Sequence, residues 1–398
     1  MKHIFIFLAT IFLALTSQGQ VKCHIEGDIL DVEKGSTVII CSADTDIRAS
    51  DNYIKVKADA KGHFSCDVTC GWMTLYNAFL DEEYKKGAWR EANFLVENQS
   101  TVNLRYDGEK WTVINGGPEQ TLKLKMEEEG ARLYRNEMDS IMKAGEAEFR
   151  PTFEKMLAEG KNPEDDTAFF KRYKAFRAEY DALFYKYQDW KSAYYREHPF
   201  QYALYEIALD MRFVRASDRH REWAEQGLEL YHSTYENFHS ENPIHNTIRT
   251  QEASWLLQPG KPYIDYEART IDGKMVKVSS LYKGKVALID LWASWCGPCR
   301  RHSIDMIPIY EKYKDYGFTV VAIAHENELS DMTKAAAKDG YPWTSLIDLQ
   351  DELHIWQKNG LGFAGGGMYL IDKDGIILST STDVAELEPL IRKALEME

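Results

Sequence analysis

Apolar and polar residues alternate over short distances in the first quarter of the 398-residue chain. Between residues 20 and 114 the runs STVIIC, YIKVKA, HFSCDV, NFLVEN and STVNLRY are β-branched or alternating, which is typical of strands. Gly27, Gly35 and Gly62 break the pattern as turn residues do. We therefore predict a β-rich N-terminal domain over residues 20–114, either a small sandwich or a barrel.

The apolar positions take a helical period over residues 115–256. Glycine becomes sparse, and the helical spacing is clear in TLKLKMEEEGARLYRNEMDSIMKA, DDTAFFKRYKAFRAEYDALFYKYQDWKSAYYREH, HPFQYALYEIALDMRF and HREWAEQGLELYHSTYENF. The many aromatic residues could form a platform for a ligand, but stripes of this kind more often pack helices together. We predict an all-helical middle segment with an aromatic core.

The sequence pattern changes again after the stretch LQPGKP, residues 257–262, whose Pro and Gly indicate a linker. Strand-like runs (MVKVSS, KVALIDLW, FTVVAIA, TSLID) then alternate with helix-like runs, including residues 298–316 and ELSDMTKAAAKDG. GMYLIDKDGIILSTS indicates a hairpin turning at Asp-Gly, and DVAELEPLIRKALEM a final helix. This order predicts an α/β domain over residues 257–398, with a central mixed sheet and helices on both faces.

The N-terminal residues MKHIFIFLATIFLALTSQGQ are typical of a secretory signal peptide, which we predict over residues 1–19. The apolar run from Ile4 to Leu15 is shorter than the roughly 20 residues of a spanning helix, although an uncleaved anchor remains an alternative. Cys23 follows QVK, which lacks the small residues of a lipoprotein signal. We expect a soluble periplasmic protein with no stable membrane insertion.

The net charge of -15 changes the range of partners to be considered. Such a surface repels phosphate backbones, so we expect no nucleic-acid binding. The six cysteines are Cys23, Cys41, Cys66, Cys70, Cys296 and Cys299. Cys23 and Cys41 are expected to flank a hairpin, and Cys66 and Cys70 to share a strand. The pairing of these four is left open between structural disulfides and free buried thiols.

The segment ALIDLWASWCGPCRRH, residues 287–302, carries the strongest chemical signal. It resembles the active-site segment of the thioredoxin superfamily, and its flanks ARTIDGKMVKVSSLYKGK and YEKYKDYGFTVVAIA are similar to the TlpA-like extracytoplasmic branch. The resemblance implies a thiol-disulfide oxidoreductase that reduces a disulfide-bearing protein and is recharged by a membrane dithiol donor. It covers about residues 257–398, while the preceding segments resemble extensions found in some secreted bacterial members.

The residues themselves support the same chemistry. A strand ending near Trp292 places Cys296 at the first turn of a helix, where free N–H groups and the helix dipole stabilise a thiolate. Pro298 is tolerated at such a position because its missing N–H costs little. We predict Cys296 as the nucleophile and Cys299, expected to be the more buried of the two, as the resolving thiol.

Asp290 lies six residues before Cys296 within the apolar strand and matches the buried acid of thioredoxin-like proteins. Burial would raise its pKa and allow it to accept the Cys299 proton, whereas a capping or solvated carboxylate is the alternative. Trp295 is expected to shield the nucleophile and offer a flat docking surface, and Trp292 to be core. The predicted substrate-binding residues are Trp295, Gly297, Pro298, Gly365 and Gly366.

Competing interpretations of CxxC are weaker. A zinc site needs four ligands, and no second CxxC or HxxxH accompanies the isolated His302 and His325, so we expect no metal and no cofactor. A peroxiredoxin would need Thr or Ser where Ala293 stands and Pro where Ile289 stands. GLGFAG, residues 360–365, precedes a strand, so it fails as a dinucleotide-binding loop.

The sequence departs from the family at Gly366 or a neighbouring residue of GFAGGGMYLID, where the resemblance places a cis-proline beside the CxxC pair. A non-proline cis bond is costly, so we expect a trans, more flexible loop, looser substrate discrimination and possible adventitious metal binding. Two functional alternatives stay open. One is a binding or scaffold protein whose thioredoxin fold has lost most of its redox reactivity, and the other is a thiol peroxidase-like antioxidant protein.

Overall fold

The computed structural model describes residues 20–30, 35–212, 218–362 and 365–397. The predicted signal peptide lies outside the described residues. Among the described residues, the N-terminal region has eight strands and one short helix: β1 (Val21–Ile29), β2 (Thr37–Ser42), β3 (Tyr53–Lys57), β4 (His63–Cys70), β5 (Thr74–Leu80), α1 (Asp81–Lys85), β6 (Glu91–Val96), β7 (Ser100–Tyr106) and β8 (Trp111–Asn115). They form two four-stranded sheets, ordered β4-β1-β7-β8 and β3-β2-β5-β6.

The two sheets share one apolar core. Alternate residues of β1 such as Ile25 are buried, as the period of a strand requires, and they meet Val38 and Ile40 of the other sheet. The prediction of a β-rich N-terminal region is confirmed, in its sandwich form. The expectation that Cys23 and Cys41 flank a hairpin is wrong, because β1 pairs with β4 and β7 while β2 pairs with β3 and β5.

The middle region is helical, as predicted. Its helices are α2 (Pro118–Gly130), α3 (Asn136–Ala158), α4 (Thr167–Glu197), α5 (Tyr202–Arg212), α6 (Asp218–Leu230) and α7 (Ile244–Ser254), with π-helical turns at Ala131–Arg135 and Tyr231–Tyr235. Tyr195, Phe200, Tyr231 and Tyr235 are buried in its core, which supports the packing interpretation of the aromatic residues.

The C-terminal region has the predicted mixed sheet with helices. Its elements are β9 (Glu267–Arg269), β10 (Met275–Lys277), α8 (Ser279–Tyr282), β11 (Val286–Trp292), α9 (Gly297–Tyr313), β12 (Phe318–Glu326), α10 (Leu329–Asp339), β13 (Ser345–Leu349), α11 (Ile355–Lys358), β14 (Gly367–Ile371), β15 (Ile377–Ser379) and α12 (Val384–Ala394). The seven strands are ordered β10-β9-β13-β12-β11-β14-β15. β11, β12 and β13 run parallel, and β14 is antiparallel to β11.

The loop between β2 and β3 joins the sandwich to the C-terminal region. The Asp51 backbone N–H donates to Gln350 Oε1 at 2.9 Å, and Asn327 Nδ2 donates to Asp51 Oδ1 at 2.8 Å. Arg48 of the same loop lies over the ring of Trp295. The loop therefore contacts the segment that carries the CxxC pair.

Across the described ranges given above, no helix combines the length and the apolar character that a bilayer span requires.

Gly27 lies where β1 approaches β7 most closely. A Cβ atom there would stand 2.7 Å from the Leu104 carbonyl oxygen and from the Phe64 ring. Gly27→Ala is expected to lower the free energy of unfolding by about 1–3 kcal/mol, measured by urea denaturation. Gly71→Ala is the matched control, because no atom lies within 4 Å of its added Cβ. Equal stability of the two variants would contradict the packing described for the sandwich.

Candidate active site

The CxxC pair lies at the junction of β11 and α9. All seven residues of β11 are buried, and Cys296 is the N-cap of the helix that follows. The Cys299 backbone N–H points at Cys296 Sγ, with 3.3 Å between the two heavy atoms. Cys296 and Cys299 are joined as a disulfide, and Pro298 lies in the first helical turn. The predicted order of strand, CxxC and helix is confirmed.

Both cysteines of the pair are buried. Cys296 is 6% exposed and Cys299 is 8% exposed, so the expectation that Cys299 is the more buried residue is wrong. The reason is the segment before β14, which lies over both residues. A Cβ atom at Gly365 would be 3.8 Å from Cys296 Sγ, and one at Gly366 would be 3.2 Å from Cys299 Sγ.

Asp290 is buried in the middle of β11, which excludes the alternative of a solvated carboxylate. Ser303 Oγ lies 2.7 Å from Asp290 Oδ2 and 3.0 Å from the Cys299 carbonyl oxygen. Burial raises the pKa of Asp290 to about 7, against the smaller opposing effect of the Ser303 hydrogen bond. The group can therefore exchange a proton near neutral pH.

Gly366 is held close to the backbone of β11. Its N–H donates to Cys299 Sγ at 3.2 Å, and a Cβ atom on it would lie 1.7 Å from the Leu291 carbonyl oxygen. The peptide bonds of the described residues are all trans, as expected at this position. Close approach therefore favours glycine here, because a proline at this position would clash with Leu291 and would lack the N–H that donates to Cys299.

A cleft of about 430 Å³ opens beside the disulfide. It brings together six of the predicted site residues: Asp290, Cys296, Pro298, Cys299, Gly365 and Gly366. Gly297 and Trp295 lie outside its lining.

The cleft is also lined by residues that were not predicted, namely Arg212, His302, Met368 and Thr382. Ser303, four residues after Cys299, could have been found from helical spacing, whereas Arg212 comes from α5 and carries no signal in the sequence.

Trp295 points toward the sandwich. The Arg48 guanidinium carbon lies 3.9 Å from its ring centroid, and the Trp356 ring centroid lies 5.6 Å away. The expectation of a flat docking surface is therefore wrong for the face that Arg48 covers. Trp292 is fully buried, as predicted.

Polar contacts fix the turn that leads into Cys296. Both the backbone N–H and the hydroxyl of Ser294 donate to the Glu326 carboxylate, the hydroxyl at 2.8 Å. Arg300 donates to the Ser294 carbonyl oxygen at 3.2 Å and to both oxygens of Asp339 at 2.6 Å. Because β12 supplies Glu326 and α10 supplies Asp339, the turn is held from two neighbouring elements.

The four remaining cysteines are free thiols, which is one of the two alternatives left open. Burial, with a smaller effect from Glu91, raises the pKa of Cys41 to about 12. Burial likewise raises the pKa of Cys66 to about 11. Such thiols are poor nucleophiles at neutral pH.

The expectation that His325 is isolated is wrong. The sequence separation hid its neighbours, because β12 and β13 are parallel and bring His325 beside Asp348. Asp351, in the turn after β13, completes a group whose ligand atoms lie within 4.8 Å of one another.

Comparison with known proteins places the C-terminal third among thiol-dependent redox proteins. The family described as Redoxin matches residues 258–395. The chain is 32% identical to a thiol-disulfide oxidoreductase ResA of Bacillus cereus, over 31% of this chain and 68% of that protein. It is 30% identical to a protein of Solanum lycopersicum named as a probable phospholipid hydroperoxide glutathione peroxidase, over 33% of this chain and 91% of that protein.

The chain is also similar to a solved structure over part of its length. The thioredoxin domain of a thiol-disulfide oxidoreductase from Bacteroides vulgatus is 22% identical and covers 35% of this chain and 99% of that chain, with a TM-score of 0.32. Together with the sequence relatives and the geometry of the CxxC pair, the match over residues 258–395 shows that the chain belongs to the redoxin family of thioredoxin-like thiol-disulfide oxidoreductases.

Proposed function

We propose that this protein reduces disulfides of protein substrates outside the cytoplasm. The observation that carries the proposal is the disulfide between an N-capping cysteine and Cys299, which opens onto a cleft that also contains a buried carboxyl group. The extracytoplasmic location is supported by the signal-like N-terminal sequence. The relative named ResA is a thiol-disulfide oxidoreductase, which supports the reaction class.

The catalytic cycle begins from the reduced dithiol. The Cys299 N–H and the start of α9 favour negative charge on Cys296 Sγ. The Cys296 thiolate attacks one sulfur of the substrate disulfide, forms a mixed disulfide and releases the other substrate sulfur as a thiolate. One bond between sulfurs is broken and one is formed, and no electron acceptor beyond the substrate is needed.

Resolution requires deprotonation of Cys299. Asp290 lines the same cleft, and a carboxyl group with a pKa of about 7 can accept this proton near neutral pH. Cys299 then attacks Cys296 Sγ, which releases the reduced substrate and leaves the disulfide seen here. A membrane dithiol must return two electrons before the next turnover.

We assign substrate contact to residues on both sides of the cleft, at the start of α9 and in the segment before β14. Pro298 lies at the mouth of the cleft, and Gly365 and Gly366 form its other wall. Gly297 is exposed next to Cys296, so a docked chain can reach it. Trp295 lies outside the cleft lining and Arg48 covers one face of its ring, so we assign it no direct contact with the substrate.

A hydroperoxide reductase is a second candidate function. The observation that favours it is the 30% identity to the tomato protein over nearly all of that protein's length. In such a reaction Cys296 would attack the peroxide oxygen, an alcohol would leave, and Cys299 would resolve the sulfenic acid with loss of water.

Cys296→Ser is expected to lower the rate of insulin disulfide reduction at least 1000-fold, because the attacking thiolate is gone. Cys299→Ser is expected to retain the first attack and to accumulate a mixed disulfide, detected by mass spectrometry. Cys66→Ser is the control and should reduce insulin at the wild-type rate. Undiminished reduction by Cys296→Ser would refute the proposal, and faster oxidation of the dithiol by a lipid hydroperoxide than by insulin would favour the second candidate.

Asp290→Asn is expected to slow release of the reduced substrate at least 10-fold at pH 8, where wild-type Asp290 is ionised, and to leave the first attack unchanged. Rapid-mixing measurements from pH 5 to pH 9 separate the two steps. The wild-type rate of release should rise through about pH 7, the pKa of Asp290, and the variant should lack this transition. A transition that persists in the variant would assign it to another group.

The same variant tests the burial of Asp290 through stability. Above the ordinary carboxyl pKa the unfolded chain loses this proton while the folded chain keeps it up to about pH 7. Wild type therefore loses stability relative to Asp290→Asn by about 1.4 kcal/mol per pH unit in that window, and the difference is constant above it. Urea denaturation at pH 5, 6, 7 and 8 measures the trend.

Gly366→Ala is expected to lower the free energy of unfolding by about 1–3 kcal/mol, because its Cβ would strike the Leu291 carbonyl oxygen. The shifted loop should also weaken the N–H contact to Cys299 and change the reduction potential of the pair. Gly362→Ala is the control for stability, since its added Cβ meets atoms only at 3.8 Å. Equal melting temperatures for the two variants would contradict the close approach at residue 366.

A further inference from the structure

His325 is a buried imidazole without a hydrogen bond. It lies near the carboxyl end of β12 and is 1% exposed. Within the described part of the chain, neither ring nitrogen has a hydrogen-bond partner. Leaving a buried polar group unpaired is costly, so such a side chain in a folded protein calls for a ligand.

The distances around Nδ1 suit a shared cation better than a hydrogen bond. Asp351 Oδ1 lies 3.7 Å from His325 Nδ1, beyond hydrogen-bonding range. His325, Asp348 and Asp351 each offer one ligand atom, and these atoms lie within 4.8 Å of one another. Ligands bound tetrahedrally at about 2.0–2.2 Å are separated by roughly 3.4 Å, so small side-chain movements would close the set around one ion.

The acidic ligands are oriented before any ion binds. Asp348 is fully buried, and its two oxygens accept the backbone N–H groups of Leu353 at 2.9 Å and Ile355 at 2.8 Å. Each carboxylate oxygen retains a second lone pair for a metal. Asp351 is largely buried as well, with 18% of its side chain exposed.

The other ring nitrogen faces a carboxylate from the sandwich. Asp46 Oδ2 lies 3.8 Å from His325 Nε2, and Arg48 holds Asp46 through bonds of 2.9 and 2.8 Å. Metal-bound histidines commonly donate their second N–H to a carboxylate, which fixes the tautomer and the ring. Asp46 is placed to be the carboxylate that accepts the second N–H of His325.

An ion could reach the site and keep an exchangeable ligand. A cavity of about 380 Å³ is lined by His325, Asp351, His354 and Trp356 and by residues of α7. Water in this cavity can occupy the fourth position, as it does in zinc sites with three protein ligands.

We propose that His325, Asp348 and Asp351 bind one divalent transition-metal ion, with Zn²⁺ as the best match, and that Asp46 supports His325 from the second sphere. One imidazole and two carboxylates form a mixed nitrogen and oxygen set that suits Zn²⁺ better than Mg²⁺, which prefers oxygen ligands and six-coordination. Because Asp46 belongs to the loop between β2 and β3, the ion would fasten the sandwich to the C-terminal region behind Trp295.

A surface cluster of similar composition supplies the internal control. His232 has Glu236 at 3.6 Å and Glu252 at 3.2 Å, but its side chain is 44% exposed and it is within hydrogen-bonding distance of Glu252. It has the same residue classes without the burial or the unpaired nitrogen. His232→Gln should therefore leave zinc affinity unchanged.

The test is calorimetric titration of the full chain, freed of metal with a chelator and kept oxidised so that Cys296 and Cys299 are not available as ligands. Zn²⁺ is expected to bind with one equivalent per chain at submicromolar Kd, and Mg²⁺ at least 1000-fold more weakly. Asp351→Asn and His325→Gln should weaken Zn²⁺ at least 100-fold. Asp46→Asn should weaken it about 10–100-fold without changing the stoichiometry.

Two further measurements guard against misfolding and stray thiol binding. Circular dichroism establishes that each variant is folded. The four free cysteines are present in every variant, so a difference in Zn²⁺ affinity reports on the site formed by His325, Asp348 and Asp351. Co²⁺ should give the intense visible bands of a four-coordinate ion in wild type, His232→Gln and, at saturating Co²⁺, Asp46→Asn, but not in His325→Gln or Asp351→Asn. No binding at 100 µM Zn²⁺, or undiminished binding by His325→Gln and Asp351→Asn, would overturn the proposal.

Discussion

The junction between a fully buried strand and the first turn of α9 determines the rest of the redox site. β11 is enclosed by β12 and β14, so its end is fixed in space, and Cys296 follows after one short turn. Glu326 and Arg300 hold Ser294 within that turn. Cys296, the proposed nucleophile, is therefore positioned by elements that are packed together. Gly365 and Gly366 approach the cysteine pair from the other side of the cleft.

Burial raises the pKa of the carboxyl group that lies next to this junction, that of Asp290. A carboxyl group in an apolar strand is normally unfavourable, yet Asp290 is accommodated because Ser303 provides a hydrogen bond and because protonation removes the charge. Burial also raises the pKa of Cys41 and of the half-buried Cys66, but both lie on strands and have no helix start beside them. The proposed reactivity of the CxxC pair thus rests on the placement of backbone N–H groups at the start of α9.

The sequence was informative where a local pattern determines structure. Strand, CxxC and helix could be predicted from residues 286–313 because period and capping are local properties, and Asp290 followed from its place in that strand. Arg48 and Arg212 could not be predicted, because they reach the site from distant segments of the chain. His325 was misjudged for the same reason, since parallel pairing joins it to Asp348 across 23 positions of sequence.

The stacking of Arg48 on Trp295 has a consequence for how the C-terminal region can be studied. A fragment starting at the Pro-Gly linker would expose to solvent an indole that is normally covered, together with the imidazole of His325 beneath it. That fragment would carry the CxxC pair but present an additional exposed apolar face. Partners captured with the fragment alone could then reflect that uncovered surface, whereas partners of the whole chain would not.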